Sequence, residues 1–280
     1  MLWEQMQGFF KSWFVYPGLE TQLMLVAIGL ALAFGAFWLV THWPPLFKRH
    51  WLWAVAIFSA FFTLLAIVYV QIPLQYYAGR ALMHFWDDAT LTDWLLLAGI
   101  PSILLSGLVQ EGAKMVPMVA WWWKSGKTIT PRLGLAIGAV AGAAFGIFEA
   151  FWVNATVLNA GWTLDVIGEY GFTGIAPFWE RFFTVCFHTA VSALAGYGLA
   201  KGKGWQFYLI AAVLHGLLNY GVLPYQKGHF SVNQVEIYVA IVAVLGTAWA
   251  LWLRWRRQKE EEEPAQPAGP AEPAGTSSPA

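Results

Sequence analysis

The stretch LVQEGAKMVPMVAWWW, Leu108 to Trp123, sets a carboxylate and an ammonium inside an apolar run. Glu111 and Lys114 are its only charges, and nearly every residue from Trp94 to Trp123 is hydrophobic. That run exceeds the roughly 20 residues a helix needs to cross a bilayer core. An ionisable group at the bilayer centre costs at least roughly 2.5–3.5 kcal/mol, so one that is kept there calls for a use. The reading is a membrane helix that carries chemistry.

Composition extends this reading to the whole chain. Of 280 residues, 58% are hydrophobic and 11% charged, against roughly 45–50% and about 25% in a soluble domain. Mean hydropathy is +0.53. The formal net charge is zero, which gives no footprint for a nucleic-acid partner. A single cysteine, Cys186, excludes an intramolecular disulfide and a multi-cysteine metal site. Residues 1–18 lack a basic start followed by a cleavage site, and read as an interfacial amphipathic segment.

Hydropathy predicts an all-α, polytopic helix bundle with seven spans, near 19–41, 51–72, 94–123, 133–157, 178–200, 205–223 and 234–253. The third, with Pro101 and Pro117, reads either as one long kinked helix or as a helix plus a re-entrant piece. Charge fixes the count. Lys48 and Arg49, then Lys124, Lys127 and Arg132, then Lys201 and Lys203, then Arg254, Arg256, Arg257 and Lys259 fall in alternate loops. Seven spans gather them on one side, the cytoplasmic one by the positive-inside rule. The expectation is an integral protein of the plasma (inner) membrane, N-terminus out and C-terminus in. The transmembrane domain covers 19–257, with a core about 94–223. The Glu-, Pro- and Ala-rich remainder, 258–280, reads as a disordered cytoplasmic tail.

The ionisable and amide groups inside these spans agree in face. Gly134, Gly138, Gly142 and Gly146 form a ridge on which a second backbone can pack. Glu149 follows about 20° from that face. Arg181, Thr184, His188, Ser192 and Ala195 make a small and polar stripe; so do Tyr208, Ala211, His215 and Asn219, and Gly107, Glu111 and Lys114. At 1.5 Å per residue, Glu111 and His188 lie about 18 Å from the cytoplasmic ends, His215 about 15 Å and Glu149 about 25 Å. These depths suit one mid-membrane site. Two carboxylates, two imidazoles and an amide are equipment for hydrolysis: a base for water and donors for an oxyanion. His42, His50, His84 and His229 read as interfacial, Cys186 as a core residue, and Arg181 as interfacial with a possible site contact.

Glu111-x-x-Lys114, Phe145-x-x-x-Glu149, His188 and His215-x-x-x-Asn219, in that order, resemble the PrsW-type intramembrane proteases, relatives of the CAAX prenyl endoproteases and bacteriocin-processing enzymes. The resemblance implies an all-helical enzyme that hydrolyses a peptide bond of a membrane-associated protein substrate, such as a membrane-anchored regulator. It makes Glu111 the candidate base, Glu149 and His188 its partners, and His215 and Asn219 the oxyanion or water-positioning groups, with Lys114 and Phe145 in support. The family opens its first motif with two glutamates, and here Gln110 takes the first place. Gln110 favours the runner-up, a non-catalytic binding or scaffold protein on the same fold. A proton-coupled transporter is a third reading, against which no internal repeat is found. No cofactor is required on the leading, metal-free reading. The zinc alternative would use Glu149, His188 and His215.

Overall fold

The computed structural model describes residues 2–262. Among these every regular element is helical: α1 (Leu2–Ser12), α2 (Thr21–His42), α3 (Trp51–Ala66), α4 (Ile72–Phe85), α5 (Asp88–Asp93), α6 (Leu95–Ala98), α7 (Ile100–Lys124), α8 (Pro131–Asn159), α9 (Asp165–Tyr170), α10 (Ala176–Ala200), α11 (Gly204–Tyr220), α12 (Val222–Gln226) and α13 (Val232–Glu262). Seven stretches are long and apolar enough to cross a membrane: Thr21–His42, Trp51–Phe85, Leu95–Lys124, Pro131–Asn159, Asp165–Ala200, Gly204–Gln226 and Val232–Arg256. The chain is an integral membrane protein.

The expected spans hold, with informative differences at their ends. The second does not stop near 72. A π-helical segment, Ile67–Gln71, joins α3 to α4 and carries the helix on to Phe85. Hydropathy missed this because Gln71, Gln75 and Arg80 lower it without breaking the helix. The third is one span. Pro101 sits in the first turn of α7, where its missing N–H costs nothing, and the helix runs on through Pro117. The last helix continues to Glu262, past the expected start of the tail at 258, and the rest of that tail lies outside the described residues.

The centre of the bundle is the α8–α10 pair, packed backbone to backbone. A Cβ added at Gly134, Gly138 or Gly142 would come within 2.3, 2.0 and 2.0 Å of the carbonyl oxygens of Gly196, Ser192 and His188. The glycine ridge expected from sequence is therefore a contact surface, aimed at the polar stripe of α10. Gly107 does the same for α7 and α11, lying 2.2 Å by that measure from the Ala212 carbonyl oxygen. Side chains tie the outer helices on. Trp38 Nε1 donates to the Phe182 carbonyl at 2.8 Å, and Ser59 Oγ to the Ala141 carbonyl at 2.9 Å. The N-terminal helix is docked: Trp13 is buried and stacks on Trp152 at 4.7 Å, in a cluster that includes Phe145.

Candidate functional site

Four helices bring their predicted residues together. Glu111 and Lys114 lie one turn apart on α7, and Lys114 Nζ donates to Glu111 Oε1 at 2.5 Å. The same carboxylate oxygen is 2.7 Å from His215 Nδ1 of α11, and Ser192 Oγ of α10 donates to Glu111 Oε2 at 3.4 Å. Glu111 and Lys114 are almost wholly buried. A pair this deep must be matched, since removing one partner of a buried ion pair costs roughly 3–5 kcal/mol.

His188 links this pair to the second carboxylate. Its Nδ1 is 3.0 Å from Lys114 Nζ, and its Nε2 is 3.3 Å from Glu149 Oε2. The 7 Å depth difference estimated for Glu149 is bridged by the two edges of one imidazole. Phe145 meets His188 edge-on with centroids 5.2 Å apart and lies 5.5 Å from Lys114 Nζ. That explains its place one turn before Glu149. Asn219 Nδ2 donates to Ser106 Oγ at 3.0 Å, beside rather than within the Glu111 cluster.

A cavity of about 600 Å³ reaches this centre. Its walls include Glu149, His188, His215 and Asn219, whereas Glu111 and Lys114 stand behind the imidazoles and do not line it. It extends to Pro177, Tyr225 and Val232, near the ends of α10, α12 and α13 opposite the basic loops.

Sequence reasoning gave one part of this wall, Arg181, only as an alternative and missed several others. Arg181 is buried, and its Nη1 donates to Glu149 Oε2 at 3.0 Å while Nη2 pairs with Glu180. Glu236 of α13 lines the cavity and is buried. A carboxylate at the start of an apolar span was the available signal. Gln71, Gln75, Ser102 and Ser106 also line it, and glutamines in a hydrophobic run could have marked them. His42, expected at the interface, is buried, with Nδ1 3.1 Å from the Trp38 carbonyl.

A seven-span bundle with buried carboxylates and imidazoles on a membrane-depth cavity defines a class of intramembrane hydrolase. Residues 48–248 match the sequence model of the PrsW family intramembrane metalloproteases, so the chain belongs to that family and is an intramembrane protease. No curated protein and no solved structure matches it.

Membership brings a metal into consideration. Among the described residues one group has metal-ligand spacing: Glu111, His188 and His215 each offer an atom within 4.8 Å of the others. This differs from the expected set of Glu149, His188 and His215. Glu149 Oε2 is engaged by Arg181, whereas Glu111 lies against His215. One carboxylate and two imidazoles are donors that catalytic zinc uses, with a water completing the shell. The donor set therefore fits a divalent ion. The Lys114 ammonium touches two of these side chains, so an ion bound there would have to displace it.

Proposed function

We propose that this protein is an intramembrane endopeptidase whose substrate segment enters the 600 Å³ cavity and is hydrolysed beside Glu149, His188 and His215. The observation that carries the reading is that cavity. It opens onto the Glu149 carboxylate and two imidazoles, with the Glu111 carboxylate buried directly behind them.

Glu111, His188 and His215 would hold the divalent ion, which supplies Lewis acidity and a water of lowered pKa. Of the carboxylates on the cavity wall, Glu149 is the one in contact with His188, so it takes the proton from the attacking water at its carboxylate and returns it to the leaving amine. Arg181 orients Glu149 through its Nη1 contact. His188 contacts Glu149 through Nε2 and so holds that carboxylate beside the ion site, and Asn219, on the same wall, donates to the developing oxyanion. The base expected at Glu111 thus moves to Glu149, with Glu111 as anchor, because Glu111 does not reach the cavity. The kinship with CAAX prenyl endoproteases belongs to this reading, carried by the order of Glu111, His215 and Asn219. The substrate is a membrane-held protein, such as an anchored regulator.

The direct test compares membrane-protein fragments in cells carrying the wild-type chain and the Glu111→Gln variant. Fragments present only with the wild type support the reading, and identical patterns overturn it. Metal content gives a second test. Purified protein is expected to carry close to one equivalent of divalent metal, falling below about a tenth with His188→Ala or His215→Ala. Chelation should stop cleavage, and added metal should restore it. Metal-free protein that still cleaves would leave Lys114 as the resident cation.

Orientation follows from the loops. Lys48, Lys124 and Lys201 all lie at one end of the seven spans, which the positive-inside rule makes cytoplasmic. The cavity then opens toward the exterior. In a Cys186→Ser background, a cysteine at Ser125 should resist an impermeant maleimide in intact cells, while one at Gly168 should label. Exterior labelling at Ser125 would reverse the orientation.

A further inference from the structure

One wall of the cavity is a relay of glutamine amides. Gln110 Nε2 donates to Gln71 Oε1 at 3.1 Å, Gln71 Nε2 to Gln75 Oε1 at 3.4 Å, and Gln75 Nε2 to the Ser102 backbone carbonyl at 2.9 Å. Its polarity does not depend on how each amide is drawn. A carbonyl oxygen can only accept, so Gln75 must turn its NH₂ toward Ser102 and its oxygen toward Gln71. The same constraint passes along the chain and ends at Gln110, whose oxygen must face away from Gln71. That atom, Gln110 Oε1, is buried and has no donor among the described residues. Gln110 itself is 7% exposed and lines the cavity.

A buried acceptor left open costs about 1–3 kcal/mol unless something fills it. Gln71 is brought to this wall as the last residue of the π-helical turn, a distortion that is frequent at functional sites. We propose that Gln110 turns Oε1, closed to solvent in this structure, to the cavity to accept a backbone N–H of the peptide segment lying there, and that Gln71 and Gln75 are positioning residues that keep the amide in the accepting orientation. Calling that peptide the substrate rests on the protease reading above.

The relay also accounts for glutamine where the first motif has glutamate in other members. A carboxylate at 110 would set an acceptor against Gln71 Oε1. Reversing the relay to relieve this would set Gln75 Oε1 against the Ser102 carbonyl oxygen. Gln110 is therefore the closing member of an amide network that an ionised Glu at this position would break.

The test uses full-length protein in lipid nanodiscs with ¹⁵N-labelled glutamine side chains, the Gln110 signal being assigned with Gln110→Asn. The probes are N-acetylleucine N′-methylamide, which offers peptide N–H groups, and its fully N-methylated analogue, which offers none. The first is expected to shift the Gln110 signal saturably, and the second to bind about tenfold more weakly, the loss of one hydrogen bond. Gln75→Leu frees the relay to reverse and should bring the two probes within about twofold of each other. Equal affinities in the wild type, or no shift at Gln110, would overturn the site. An unchanged preference in Gln75→Leu would remove the relay as its cause. The readout needs no cleavage. Discrimination without wild-type-specific fragments would leave a peptide site and end the protease reading; fragments without discrimination would do the reverse.

Discussion

Glu111→Gln is expected to lower cleavage at least about a thousandfold. Glu111 is 1% exposed and holds Lys114 at 2.5 Å and His215 at 2.7 Å. Glutamine keeps the shape but removes the charge. The site loses a carboxylate donor for the ion, and the Lys114 ammonium loses its counterion beside His188. On the proposed roles the ion's anchor goes with the charge; Lewis-acid stabilisation is worth several kcal/mol, and each roughly 1.4 kcal/mol is tenfold in rate. Breaking a buried pair also destabilises the fold, so loss of activity could be misread as loss of protein. The double variant Glu111→Gln/Lys114→Met separates the two. Removing both charges of a buried pair is often neutral or stabilising, so abundance should return to within about twofold of wild type while cleavage stays absent. Cleavage by either variant, measured per folded protein, would refute the role.

Where sequence and structure agree, the cause is a one-dimensional pattern. Hydropathy, basic loops and the four-residue glycine spacing each depend on one helix at a time, and all were legible. The inward faces of Glu111, Glu149, His188 and His215 were legible for the same reason. Which groups touch was not, because that depends on the rotation of one helix against another. Glu149 and Glu111 read as equivalent carboxylates from sequence. In the fold His188 presents one ring nitrogen to Glu149 and the other to the ammonium paired with Glu111. The resulting asymmetry, Glu149 on the cavity and Glu111 behind it, is the ground for the different roles proposed for them. The glutamine wall was hidden differently. Gln71 lies at the expected end of the second span and Gln75 beyond it, and the π-helical turn carries the helix on so that both meet α7. Arg181 looked interfacial because it lies near the start of its span, but Glu149 and Glu180 draw it inside.

Gly142→Ala is expected to lower cleavage by about a hundredfold or more, although the residue bears no functional group. The added methyl would stand 2.0 Å from the His188 carbonyl oxygen and 2.8 Å from Ser192 Cβ. Its first obstacle is backbone, which no rotamer change can clear, so α8 and α10 must separate by roughly 1 Å to restore ordinary contact. His188 moves with that backbone. It then cannot keep both its Lys114 and Glu149 contacts, since these lie on opposite edges of one ring. A misplacement of about 1 Å at a catalytic constellation can cost about 10²-fold. Two further substitutions make the result specific. Gly29→Ala adds a methyl where nothing lies within 4 Å, and should leave cleavage and thermal stability unchanged. Gly134→Ala meets the Gly196 carbonyl oxygen at 2.3 Å on the same helix pair, but two turns away from His188. It should lower the melting temperature about as much as Gly142→Ala and reduce cleavage per folded protein far less. The measurement is cleavage rate normalised to folded protein, beside a melting curve for each variant. Equal loss of activity at Gly134 and Gly142 would mean that the ridge serves stability alone, and that the fit of α8 against His188 does not set the geometry of the site.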